Sequence, residues 1–256
     1  MLGKITSMLC STIHHPSVIS FWLREQFDRS SIKRRIKADQ VFLEEKNVWP
    51  LLVAGSNTEI PPDASDLANL YRLIAERRPR VVLEFGVGYS SLVICAALRA
   101  NLAKANVRGH LYVVDSEKKW IENTRNKFES DLLEFISFQY SPISVKVFDN
   151  TLCHTYDSLP DVSPNFVYVD GPSGASGEEE ISGEINGLGF TGGRPVVGAD
   201  VLLYESSAPL DFFILVDGRW ETCRFLGTHL RNKYRHRRFV ARKFQTFQYI
   251  GKLMAW

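Results

Sequence analysis

The stretch RVVLEFGVGYSS, residues 80–91, decides how this chain is read. Val81 to Phe85 is a short apolar run rich in residues that pack well on a pleated sheet. The chain then turns through Gly86 and Gly88, and Ser90 or Ser91 can open the helix that follows, SSLVICAALRANL. Strand, glycine turn and helix in that order are the context a nucleotide-binding loop requires. Gly86 permits the tight turn, and Gly88 lets the backbone approach a ligand with no Cβ in the way.

The same alternation continues on both sides. Upstream, Ser65 is the expected cap of an amphipathic helix. Asp66 lies in its first turn, Leu67, Leu70, Tyr71 and Ile74 share one face, and Pro79 stops it. Downstream, apolar runs ending at Asp115, Asp149, Asp170 and Asp217 read as four further strands. They are Leu111 to Val114, Val145 to Phe148, Phe166 to Val169 and Phe213 to Val216. Ser116 can cap a helix running through Phe128, and another helix is expected from Trp220 to Leu230. The tail RRFVARKFQTFQYI supplies two last strands. This order predicts an α/β fold: a doubly wound, mostly parallel seven-stranded sheet with helices on both faces. Right-handed crossovers put the strand ends on one rim, where open α/β sheets bind their ligands. One strand-end acid is often only a turn former. Five together, Glu84, Asp115, Asp149, Asp170 and Asp217, point to a polar ligand site.

Composition excludes several classes. The 256 residues are 45% hydrophobic and 23% charged, an ordinary globular mix that fits neither disorder nor a collagen-like repeat. No apolar run approaches the length of a membrane span. The four cysteines, Cys10, Cys95, Cys153 and Cys223, are scattered and form no C-x-x-C pair, so a reducing compartment is expected. The N-terminus, interrupted by His14, His15 and Pro16, has no signal-peptide run, so the expected location is cytoplasmic. The net charge of +2 conceals an asymmetry. Residues 219–256 hold ten basic side chains and one acid, Glu221, giving +9, and the remaining residues carry −7. An anionic partner near the C-terminal strands is thereby open, although no RNA-binding aromatic motif is present and nucleic acid is not expected.

The loop favours a positive ligand. Ser91 stands where a dinucleotide site carries its third glycine. A carboxylate at Glu84 would repel a pyrophosphate and attract an ammonium or sulfonium group. At Glu84 to Ser90 the chain resembles the class I S-adenosylmethionine-dependent methyltransferases, through an E-x-G-x-G-x-S form of their first motif. Val169-Asp170-Gly171-Pro172 looks like the fourth-strand V-D-G-P signature of some small-molecule and sugar O-methyltransferases. The resemblance spans about residues 61–250 and implies a Rossmann-like domain over 61–256, preceded by a helical lead-in at 1–60.

It further implies S-adenosylmethionine as cofactor, held by Glu84, Gly86, Gly88, Ser90 and Asp115, the last at the ribose hydroxyls. Asp149 is the expected adenine-pocket residue, with a simple Asp-Asn turn as the competing explanation. Asp170 is the expected general base for an acceptor hydroxyl, with His154, His229 and His236 as alternative bases. Metal-dependent relatives hold a divalent cation at positions matching Asp170 and Asp217. Gly218 follows where another oxygen ligand is expected, and two carboxylates are a thin set for a hard cation, so no metal is assigned.

Nine of the 17 glycines fall within 171–198, which reads as a substrate lid with glycine hinges. The expected acceptor is a small molecule or a saccharide, methylated at oxygen. An NAD-dependent oxidoreductase and a non-catalytic methyltransferase-like binding protein are the alternatives.

Overall fold

The computed structural model describes residues 16–53, 61–172, 183–185, 188–190, 197–239 and 244–251; for 16–30, 183–185, 188–190, 239 and 251 only the backbone course is described. Helix α1 (Pro16–Glu45) and the short α2 (Trp49–Val53) lead into α3 (Ala64–Arg77). The cap of α3 is Asp63, not Ser65. Asp63 is extended, and its carboxylate accepts the backbone N–H groups of Ser65 (2.9 Å) and Asp66 (3.3 Å). Ser65 is two residues past the cap, inside the first turn. Its hydroxyl donates instead to Asp39 Oδ2 at 2.9 Å, and Arg72 pairs with the other Asp39 oxygen at 2.7 Å. The lead-in is therefore bonded to α3 from Asp39 onward, and Leu43, Val48 and Leu52 are buried in the same core.

After Arg78, in the left-handed conformation, and Pro79, the chain enters β1 (Val81–Phe85), α4 (Tyr89–Ala105), β2 (His110–Asp115) and α5 (Lys118–Arg125). Strands β3 (Ile136–Tyr140), β4 (Ile143–Phe148), β5 (Thr151–Tyr156) and β6 (Phe166–Val169) follow. Short pieces β7 (Gly183–Ile185), β8 (Leu188–Phe190) and β9 (Val197–Gly198) precede α6 (Val201–Glu205) and β10 (Phe213–Asp217). The chain then forms α7 (Trp220–His229), β11 (Lys233–Phe239) and β12 (Phe244–Gly251). Most of the 171–198 segment expected as a lid lies outside the described residues.

The main sheet has seven strands in the order β11-β12-β10-β6-β1-β2-β3. Only β12 runs against its neighbours. Side chains alternate across the sheet. Val82, Tyr168 and Leu215 face a core built with α3 and α4, while Leu83, Val167 and Ile214 face a core with β5, α6 and α7. The doubly wound seven-stranded architecture expected from the sequence is the one observed.

One strand differs. The third parallel strand is β3, ISFQY, and not the expected VKVF. β3 is an edge strand whose polar and apolar residues alternate, a weaker pattern than the continuous apolar run of an interior strand. VKVF belongs to β4, which forms an antiparallel hairpin with β5 in a separate three-stranded sheet. Asp149 and Asn150, both with positive φ (47° and 58°), make its two-residue turn. Asp149 therefore sits at a hairpin tip rather than on the rim of the main sheet.

From β1 the chain winds one way to β2 and β3, and later the other way to β6 and β10. The switch point lies between β1 and β6, where open α/β sheets have their ligand crevice. Gly86 leaves β1 there with φ +92°, and a Cβ on it would come 2.9 Å from the backbone nitrogen of Gly171, just beyond β6. Gly86→Ala is expected to cost about 2–5 kcal/mol through combined strain and overpacking, read as a lower urea midpoint. Gly88 has no atom within 4 Å of where a Cβ would stand. Gly88→Ala should leave stability within about 1 kcal/mol, and an equal loss in both variants would contradict this account.

Candidate functional site

The turn after β1 is braced from below and from the side. Glu84 is the penultimate residue of β1 and is fully buried under the start of α4. Its Oε2 accepts from the Ser91 hydroxyl at 2.6 Å, and that hydroxyl oxygen accepts from the Gly88 N–H at 3.3 Å. The Ser90 side chain is buried beside Glu84 at the start of α4. Glu84 Oε1 is buried with no hydrogen-bond partner.

Burial pushes the Glu84 carboxyl up to about 8, against the pull of the two serine hydroxyls and with a smaller upward push from Asp170 and Asp115. This corrects a simple sequence expectation. Glu84 does not present a ready negative charge at the surface of the loop. It is an acid under the loop, held neutral at neutral pH while no positive charge is near.

Asp115, at the end of β2, clamps the loop from the side. Its Oδ2 accepts the Val87 N–H at 2.8 Å and its Oδ1 the Glu117 N–H at 2.7 Å. Burial raises its pKa, and those backbone donors oppose the rise. The expected cap Ser116 is replaced by Glu117, because α5 begins only at Lys118.

Asp170 continues the β1–β6 ladder, its N–H donating to the Phe85 carbonyl at 2.9 Å. Its carboxyl is pushed up to about 7, first by burial and then by Asp217, while Arg219 opposes. Half of its side-chain surface (51%) stays open to solvent, so water screens the neighbouring charges and tempers that shift. Asp217 accepts from the Tyr168 hydroxyl at 2.9 Å, a tie between the ends of β6 and β10. Among the described residues, no group of three or more His, Cys, Asp or Glu could hold a metal ion.

The structure thus gathers Glu84, Gly86, Gly88, Ser90, Asp115 and Asp170 around the switch point and leaves Asp149 apart. Asp149 Oδ2 lies 3.1 Å from His229 Nε2, and His229 Nδ1 lies 2.8 Å from the Phe225 carbonyl. His236 lies 2.6 Å from Gln245 Oε1 and stacks on Phe247. These contacts account for both histidines.

His154 differs. It is 4% exposed, its Nδ1 has no hydrogen-bond partner, and burial followed by the charge of Arg219 lowers its pKa. Two residues beside it carried no sequence signal. Tyr156 stacks on Phe85 (5.9 Å between centroids), and its buried hydroxyl has no partner. Arg219 donates to the carbonyls of Pro172 (2.7 Å) and Asp170, which pins the exit of β6. Tyr156 was hidden because it lies on the hairpin strand β5, and Arg219 because its role is to bind carbonyls of a distant segment.

Comparison with known proteins speaks to the fold. No protein-family model and no curated protein sequence matches the chain. Solved structures do. An SAH-bound methyltransferase from Podospora anserina superimposes with a TM-score of 0.52 at 12% identity, covering 88% of this chain and 96% of the other. An O-methyltransferase from Bacillus cereus in complex with SAH gives 0.51 at 11% identity, covering 85% and 99%. The chain has the Rossmann-like fold of these methyltransferases. No helix among the described residues is long and apolar enough to cross a membrane.

Proposed function

We propose that this protein is an S-adenosylmethionine-dependent methyltransferase that acts on a hydroxyl group of a small-molecule or saccharide acceptor. The observation that carries the reading is the braced turn at the β1–β6 switch point, with Glu84 beneath it and Asp115 beside it. Two features of the turn fit this cofactor. The space over Gly88 is open, and the buried Glu84 carboxyl has an unpartnered oxygen whose charge a cationic ligand would stabilise.

When bound, S-adenosylmethionine supplies a methyl group on a good leaving group, so positioning does most of the catalytic work. Glu84 holds the loop through Ser91, and a bound cation would draw its buried carboxyl into the charged form. Asp115 keeps the Val87 N–H in place and would hold the ribose hydroxyls of the bound cofactor. Asp170 accepts the acceptor hydroxyl proton, and Arg219 fixes the backbone that carries Asp170. The SAH-bound neighbours support the cofactor assignment by analogy of fold.

Calorimetry with S-adenosylhomocysteine tests the reading, with NAD as the comparison for a dinucleotide site. Saturable binding of the first and none of the second is expected. Asp115→Ala should weaken binding about tenfold to a hundredfold, equivalent to roughly 1.4–3 kcal/mol, because a ribose contact and the loop clamp are lost together. No binding to wild type at high micromolar concentration would sink the proposal, and unchanged affinity in the variant would remove Asp115 from the site.

A further inference from the structure

A second concave surface lies between α3 and the C-terminal strands. It is a groove of about 350 Å³ lined by both elements. Four of its residues are arginines: Arg72 and Arg77 from α3, Arg235 and Arg237 from β11. The two strand arginines are two residues apart, so they project from the same side of β11, roughly 7 Å from one another. The helix arginines are held in place. Arg72 is paired with Asp39 and lies 4.1 Å from the centre of the Phe42 ring, and Arg77 lies 3.6 Å from the centre of Phe213.

The acids nearby do not neutralise the set. Glu76 lines the groove, Asp211 lies near Arg77, and Asp39 is taken by Arg72. Arg235 and Arg237 are exposed and, among the described residues, form no ion pair. Charged residues on an edge strand also discourage pairing with another chain. That role does not require them to converge on two arginines from a helix more than 150 positions away in sequence.

The rest of the lining narrows the ligand. Phe213 and Phe244 are buried in the floor, 3% and 6% exposed, so no open ring is offered for a nucleobase to stack on. Thr246, 5% exposed, lies in the floor with the two rings, and half-buried Gln248 adds an amide, a group that bonds sugar hydroxyls. Guanidinium forks bind carboxylate and phosphate oxygens in pairs.

We propose that this groove binds an acidic saccharide, a sugar chain whose carboxylate or phosphate groups sit on Arg235 and Arg237. Phe244, at one end of the groove, is the register partner of Asp217 on the acidic rim. The groove therefore borders the end of β10 that carries Asp217. That the same chain is the methyl acceptor rests on the function proposed above; the binding site itself does not.

The test is fluorescence anisotropy at low salt with labelled oligogalacturonate. A sugar phosphate serves as competitor, a neutral maltooligosaccharide as control, and single-stranded DNA of equal charge as rival. Oligogalacturonate should bind, and the neutral sugar should not. Competition by the sugar phosphate would show that phosphate is also accepted, and its absence would assign the groove to carboxylates. The exposed pair Arg235→Ala/Arg237→Ala should lower affinity at least tenfold, while Arg235→Lys/Arg237→Lys retains part of it. S-adenosylhomocysteine affinity should stay unchanged in both, which separates this site from the cofactor reading. Binding of neither acidic sugar, equal binding of the neutral sugar, or affinity indifferent to the alanine pair would overturn the proposal. Tighter binding of DNA than of oligogalacturonate would reassign the groove to nucleic acid.

Discussion

Asp170→Asn is expected to lower kcat for methyl transfer about 10²–10⁴-fold, the usual contribution of a positioned general base. Cofactor affinity should change little, because asparagine keeps the size and backbone bonds of the residue and loses only its capacity to take a proton. The pH profile gives the second readout. Burial and Asp217 raise the Asp170 carboxyl toward about 7, with solvent on its open half tempering the rise, so on the acid side it is protonated and inactive as a base. Activity should therefore rise as pH increases from 6 to 8 and level off above. The variant should lack this limb. Transfer assayed over a panel of sugars and phenols reads both effects. An unchanged kcat in Asp170→Asn would take the base role away from Asp170 and leave His154, with its unpartnered buried Nδ1, as the next group to test.

The second large effect concerns stability. The Glu84 carboxyl is held at about 8 in the folded protein, against 4.5 for an unperturbed glutamate. Between those values the folded state binds more protons than the unfolded state. Stability of the ligand-free protein therefore falls as pH rises through that window and flattens above it. With one pKa unit equal to about 1.4 kcal/mol, the loss attributable to Glu84 is on the order of 4–5 kcal/mol by pH 8. Asp170 and Asp200, each raised to about 7, and Asp115, also raised, act in the same direction.

Glu84→Gln keeps an oxygen that can accept from Ser91 but has no proton to lose. The variant should match wild type near pH 5 and be more stable at pH 8. Urea unfolding at the two pH values measures this. A wild-type stability that is level across the window, or a variant with an undiminished slope, would falsify the burial argument for Glu84.

Local pattern made much of the site legible. RVVLEFGVGYSS carries its own strand, turn and helix start, so Glu84, Gly86, Gly88 and Ser90 could be placed without any tertiary knowledge. Asp115, Asp170 and Asp217 close apolar runs of interior strands, whose uniform burial leaves a clear trace. The edge strand β3 leaves no such trace, because one side of it faces solvent and its residues alternate. The exposed hairpin strand β4, with Val145, Val147 and Phe148 all partly open, was the more apolar of the two and drew the wrong assignment. Asp149 followed it off the rim. The α3 cap moved from Ser65 to Asp63 for a related reason, since either residue type can cap and only the chain's path selects one.

The alternation of the interior strands with helices, and the four acids at or beside the ends of β1, β2, β6 and β10, follow from the sequence alone, because hydrophobic period and turn chemistry act over a few residues. The charge state of Glu84 does not. It depends on α4 closing over the carboxyl and removing its water, which is a property of packing. The joining of Tyr156 and Arg219 to the switch point, and of Arg72 and Arg77 to Arg235 and Arg237 in one groove, is likewise decided by tertiary structure. Residues far apart in the chain act on one ligand only where the sheet brings them together.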